Sequence, residues 1–118
     1  MQNNQSSQLL VGIDVGSTTA KIAVMDAASH EMLMRRYVRH HAQQANCLKS
    51  LLAELDQRFE GIPMRAALCG SGGAALAEAL DLPYVQEVVA NSLAVGANYP
   101  TARTAIELGG QDAKMIFF

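Results

Sequence analysis

The stretch Leu9–Asp26, LLVGIDVGSTTAKIAVMD, decides how the chain is read. An apolar run, Leu9-Leu10-Val11, continues through Gly12 and Ile13 to a single carboxylate, Asp14, where a buried strand should end. Val15-Gly16-Ser17-Thr18-Thr19 then turns the chain, and Ile22-Ala23-Val24-Met25 returns beside the first run, so the pattern predicts a β-hairpin. A turn rich in glycine and hydroxyls can direct several backbone N–H groups at one anion. The carboxylate beside it suits the hydrated magnesium ion that accompanies a nucleotide phosphate. An ordinary hairpin, whose Ser17, Thr18 and Thr19 merely satisfy their own turn, fits the same residues.

The composition around this stretch excludes several classes of function. At 118 residues the chain can build a hydrophobic core, yet it is short for a complete nucleotide-hydrolysing enzyme. Half of it is hydrophobic, 17% is charged, and the formal net charge of -2 gives no basic field for nucleic acid or an acidic membrane. No window has the roughly 18 uninterrupted apolar residues of a membrane span. Residues 1–8 are polar and lack the basic and apolar regions of a secretory signal, so a frayed N-terminus and a cytoplasmic location are expected. Cys47 and Cys69 have neither CxxC nor Cys/His metal spacing and are expected to be small buried hydrophobes.

Downstream of the hairpin, Glu31 to Val38 reads as a third strand. Arg35, Arg36, Arg39, His40 and His41 mark it as a solvated edge. From about Gln43 the period becomes helical: Leu48, Leu51, Leu52, Leu55 and Phe59 share a face, Glu54 and Arg58 can pair across one turn, and Gly61 with Pro63 stops the helix. Met64 to Cys69 is a short strand leading through Gly70-Ser71-Gly72-Gly73 into a helix over 74–80. Gly70, Gly72 and Ala75 spell G-x-G-x-x-A, and Glu87 follows a short strand expected over 84–86, as a dinucleotide-binding acid does. The spacing from Gly70 to Glu87 is 17 positions, shorter than the ~20 of that fingerprint. The glycines equally let the helix start close against the sheet or a neighbouring ligand. Residues 88–99 read as a helix packing Val89, Leu93 and Ala97 inward. Thr104 to Leu108, Gly109-Gly110-Gln111-Asp112 and Ala113 to Phe118 then form a second strand, glycine turn, strand unit. Phosphoryl transfer needs the terminal phosphate gripped from several directions, which a pair of opposed glycine turns can supply.

Four collinear stretches carry a resemblance: GIDVGSTTAK at 12–21, CGSGGAALAEAL at 69–80, VQEVVANSLAV at 85–95 and IELGGQDAK at 106–114. Together they resemble the ATPase activators of 2-hydroxyacyl-CoA dehydratases and benzoyl-CoA reductases, most closely the long multidomain members. The resemblance implies an α/β fold: the ribonuclease-H-like mixed sheet of one lobe of an actin-like ATPase over residues 9–103, with 104–118 as the opening hairpin of a second lobe. It implies ATP and Mg²⁺ as ligands. Asp14 would organise the metal, and Gly16, Ser17 and Thr18 would bind phosphates with support from Thr19 and Lys21. Gly109, Gly110 and Gln111 would face the terminal phosphate, with Asp112 near the metal or the attacking water. Glu107 stands where shorter activators usually carry Asp, and Glu87 matches a recurrent acid without an assigned role.

The family couples ATP hydrolysis to low-potential electron transfer into an acyl-CoA dehydratase or reductase partner, through a [4Fe-4S] cluster shared by a homodimer. The cluster cysteines lie beyond the second hairpin, and neither Cys47 nor Cys69 matches their context. The resemblance therefore implies a fragment that is inactive alone, with the cluster confined to a full-length parent. A sugar or acetate-type kinase lobe and a non-catalytic, nucleotide-binding or self-associating module are the alternatives.

Overall fold

A computed structural model describes residues 8–108 and 113–118. The chain divides into two compact units, Met1–Tyr84 and Val85–Phe118.

In the first unit, β1 (Leu9–Val15), β2 (Thr19–Asp26) and β3 (Met32–Arg39) form an antiparallel meander. Helix α1 (Gln44–Arg58) then carries the chain to β4 (Met64–Cys69), which pairs parallel to β1. The sheet order is β3-β2-β1-β4, a mixed sheet with an antiparallel start, as the resemblance implies. Strict alternation explains why these residues form strands. Leu9, Val11, Ile13 and Val15 point to one face and are buried, while Leu10, Gly12 and Asp14 point to the other. Their cross-strand partners Ala20, Ile22 and Val24, together with Leu68 of β4, complete the buried face. Leu48, Leu51 and Leu55 of α1 and Ala77 of α2 (Gly73–Leu80) join the same core. Each fully buried Ile13, Ile22 or Leu68 side chain contributes about 1.5–3 kcal/mol through the apolar surface it removes from water.

Several sequence expectations are corrected here. The third strand lies one residue later at each end than Glu31 to Val38. Glu54 does not pair with Arg58. It accepts two hydrogen bonds from Arg36 of β3, and Arg58 donates instead to the Leu33 carbonyl at 3.1 Å, because partners across the helix–sheet seam outcompete a weak pair on the helix surface. The strand expected over 84–86 is reduced to one parallel bridge, Leu68 with Tyr84. Both cysteines are half-buried rather than buried.

The second unit holds α3 (Glu87–Asn98), β5 (Thr104–Leu108) and β6 (Ala113–Phe117), the two strands pairing antiparallel. The helix lies where its periodicity predicts, but none of its residues is buried, and Leu93 is 68% exposed. In the hairpin, Ala105, Glu107, Lys114 and Ile116 share the less exposed face, and Ile106, Leu108, Met115 and Phe117 are exposed. No described helix is long and apolar enough to cross a membrane.

Candidate functional site

The carboxyl ends of β1 and β4 lie side by side, with Asp14 opposite Cys69 in the parallel register and opposite Lys21 in the antiparallel one. Asp14 is half-buried, and its Oδ2 accepts from Lys21 Nζ at 3.3 Å. The same ammonium lies 5.5 Å from the centroid of the Tyr37 ring. A pair this open to solvent is worth at most about 1 kcal/mol of stability, so it leaves Asp14 available to a competing cation.

The turn after β1 is closed by Gly16 N–H donating to the Thr19 carbonyl at 2.9 Å. The Gly16 carbonyl accepts from His40 Nε2 at 2.8 Å, and the Thr18 carbonyl accepts from the His40 backbone N–H at 3.1 Å. Among the described residues, the Ser17 and Thr18 N–H groups have no backbone acceptor. Ser17 is exposed, and Thr18 and Thr19 are half-buried. The structure thus brings Asp14, Gly16, Ser17, Thr18, Thr19 and Lys21 together at one end of the sheet, but it gives Gly16 a different duty from an anion donor, since its N–H is spent inside the turn.

The glycine turn between β4 and α2 backs this arrangement. Gly72 N–H donates to the Val15 carbonyl at 2.8 Å, and Tyr84 Oη donates to the Gly70 carbonyl at 2.8 Å. Gly70 has φ +96°, and a Cβ there would overlap both Asp14 Oδ1 and the Val15 carbonyl oxygen. A Cβ on Gly72 would sit 3.3 Å from Val15 Cγ1, and one on Gly73 3.3 Å from the Tyr84 ring. The G-x-G-x-x-A spacing is therefore explained by one turn lying flat on its neighbour, the close-packing reading of those glycines.

In the second unit, Lys114 Nζ donates to Glu87 Oε2 at 2.9 Å and lies 3.9 Å from Glu107 Oε1. Glu107 and Lys114 are direct partners in the register of β5 and β6, and Glu87 is the first residue of α3. Gly109, Gly110 and Gln111, expected to face the terminal phosphate, and Asp112, expected near the metal or the attacking water, lie outside the described residues.

Sequence reading missed His40, Lys114 and Tyr84. Lys114 closes the motif IELGGQDAK and could have been marked as the partner of Glu107 from hairpin pairing alone. His40, read as part of a solvated edge, is only 4% exposed, because β3 delivers it against the 16–18 turn.

Among solved structures, the fold is that of the actin-like ATPases. The chain is similar to (R)-2-hydroxyglutaryl-CoA dehydratase component A of Acidaminococcus fermentans, with TM-score 0.77 and 22% identity over 92% of this chain and 42% of that one. It is also similar to the Ppx/GppA enzyme of Aquifex aeolicus, with TM-score 0.58 and 11% identity over 95% of this chain and 48% of that one. A ROK family transcriptional regulator, a homolog of the E. coli MLC protein, matches with TM-score 0.55 and 17% identity over 89% of this chain and 35% of that one. The chain thus spans less than half the length of each. No family model matches the chain, and no curated protein does.

Proposed function

We propose that this chain is part of an ATP-hydrolysing activator that drives low-potential electron transfer into a 2-hydroxyacyl-CoA dehydratase or benzoyl-CoA reductase type of enzyme in the cytoplasm. The observation that carries the reading is the junction of β1 and β2. One carboxylate, Asp14, stands beside a turn whose Ser17 and Thr18 N–H groups have no backbone acceptor among the described residues. The same fold in component A of a dehydratase supports the choice of activator over other actin-like ATPases.

The residues fit a magnesium ion. Such ions keep several waters and need one or two carboxylates besides the substrate phosphates, and Asp14 is a single carboxylate held against a turn with no room for a Cβ. When bound, the ion would neutralise charge on the phosphate oxygens. Asp14 would orient it, Ser17 and Thr18 would donate to the phosphates, Thr19 would lend its hydroxyl, and Lys21 would move from Asp14 toward the added negative charge. Gly109, Gly110, Gln111 and Asp112 belong to the same proposal on the strength of the resemblance. A [4Fe-4S] cluster does not fit this chain. Its two cysteines sit on α1 and at the end of β4, and Cys47 packs against the hydrophobic core. The cluster, the homodimer and the enzyme partner are assigned to a longer parent.

The test is Mg-ATP turnover. The 118-residue chain should show little or none, whereas in the parent Asp14→Ala should abolish turnover and leave the circular dichroism spectrum unchanged. Undiminished turnover in that variant removes Asp14 from the site, and robust hydrolysis by the 118-residue chain removes the expectation that it is inactive alone. Sequencing downstream of codon 118 separates activator from kinase, because cluster cysteines in the following lobe favour the first and a sugar-binding insert the second. A self-associating module is the second reading, favoured by the exposed apolar hairpin face.

A further inference from the structure

Among the described residues of the first unit, His40 is the buried polar side chain, and both its ring nitrogens and both its backbone polar atoms are engaged by loops. Ala42 N–H donates to its Nδ1 at 3.1 Å. That bond makes Nδ1 the acceptor, so the ring proton sits on Nε2 and is donated to the Gly16 carbonyl. The backbone N–H of His40 takes the Thr18 carbonyl, and its own carbonyl accepts from Gln43 N–H at 2.8 Å. The two residues that follow, His41 and Ala42, both have positive φ, +52° and +62°, a conformation that L-residues hold only where the surroundings impose it. One residue thus ties a strained bend to the turn between β1 and β2.

We propose that His40 is a positioning residue for anion binding by that turn. A carbonyl oxygen that swung toward a phosphate would repel it. His40 takes two of the turn's carbonyls, those of Gly16 and Thr18 on either side of Ser17, while the Ser17 and Thr18 N–H groups have no backbone acceptor among the described residues. The proposal rests on the phosphate reading of Asp14 to Thr19 and adds to it a residue from the bend that follows β3. His40 itself touches no phosphate.

Two substitutions separate its roles. His40→Gln keeps an N–H donor near the Nε2 position and can still hold the Gly16 carbonyl. His40→Asn keeps an acceptor near Nδ1 for Ala42 but cannot reach Gly16. The ¹⁵N-labelled chain is titrated with tripolyphosphate in the presence of Mg²⁺, following the Ser17 and Thr18 amides, and Leu55→Ala serves as a destabilised control whose site is intact. In the ligand-free chain His40 should appear as the Nε2–H tautomer, and His40→Ala and His40→Asn should lower the Ser17 and Thr18 order parameters from about 0.85 toward 0.6. Both should weaken tripolyphosphate binding about tenfold, the value of one or two hydrogen bonds. His40→Gln and Leu55→Ala should bind within about threefold of the unsubstituted chain. An Nδ1–H tautomer, unchanged order parameters in His40→Asn, or rescue by Asn and not by Gln overturns the proposal. So does equal loss of binding in Leu55→Ala. If the unsubstituted chain shows no tripolyphosphate shifts at all, the phosphate reading fails and the anion role of His40 falls with it, whatever the ligand-free measurements show about the turn.

Discussion

Replacing Gly70 by alanine tests the contact on which the candidate site is built. Two separate penalties arise. The first is conformational, since φ +96° costs an L-residue about 1–2 kcal/mol. The second is steric, since the new methyl would overlap Asp14 Oδ1 and the backbone carbonyl of Val15, a residue with no exposed surface in a central strand. Overpacking of this sort costs about 1–3 kcal/mol. Gly61→Ala isolates the first penalty, because Gly61 has φ +79° and open space where its Cβ would lie. Gly70→Ala should therefore destabilise by about 2–5 kcal/mol and Gly61→Ala by about 1–2 kcal/mol, against a total stability of roughly 5–15 kcal/mol for a domain. At about 4–8 °C per kcal/mol for a unit of this size, that is a loss in Tm of about 8–40 °C for the first and about 4–16 °C for the second. Urea unfolding and thermal melts of both variants measure the gap. Equal losses would mean that the β4–α2 turn does not lie on Asp14, and the convergence of the two turns would have to be abandoned.

Two further outcomes follow from other parts of the chain. Asp26 accepts from the N–H groups of Ser29 and Ala28 at 2.8 and 2.9 Å, and these bonds hold its carboxyl below the ordinary carboxylate range. A lowered folded value means that the ionised group stabilises the fold above about pH 4 and that this contribution disappears as the pH falls through the folded value. The stability gap between the unsubstituted chain and Asp26→Asn should be flat from pH 7 to 5 and shrink below 4, and a gap that stays constant or widens in acid would contradict the assignment. The hairpin face of Ile106, Leu108, Met115 and Phe117 should drive self-association, because three of these side chains are more than 60% exposed. Light scattering should show aggregates that Ile106→Lys with Phe117→Lys removes, and a monodisperse monomer at high concentration would refute it.

How much of this was legible depended on whether the deciding interaction was local. β1, β2, β4 and α1 were readable because period-2 burial in Leu9 to Val15 and helical spacing of Leu48, Leu51 and Leu55 are properties of one segment. Periodicity tells which residues share a face and not whether anything covers it, so α3 appeared in place while Val89 and Leu93 remained exposed. Glu54 illustrates the same limit, since its helical neighbour Arg58 was visible in sequence and its actual partner Arg36 stands 18 residues away. His40 was hidden by company: Arg35 and Arg39 are exposed as an edge strand requires, and only the register of β3 beside the 16–18 turn distinguishes the histidine.

The chemistry gathered at the end of β1 is sparse, and that sparseness bears on the reaction class. A general acid–base site needs paired titratable groups held in different surroundings, and a nucleophilic site needs a hydroxyl or thiol beside its base. Here Asp14 has a lysine for a partner, and the ring of His40 is committed to a carbonyl and an amide. What the arrangement supplies is position: a carboxylate at the carboxyl end of a strand, two turn amides with no backbone acceptor among the described residues, and a second turn packed so closely behind that only glycine fits at Gly70. Phosphoryl transfer is the reaction that asks for orientation and charge neutralisation with little covalent participation from the protein. Ligands of open α/β sheets gather at the carboxyl ends of the strands, where parallel neighbours finish together as β1 and β4 do. Under the proposed phosphate reading the glycines, the buried histidine and the single acid answer to one requirement, a turn held in place to receive an anion, and each of the substitutions at Gly70, Asp14 and His40 disturbs it from a different side.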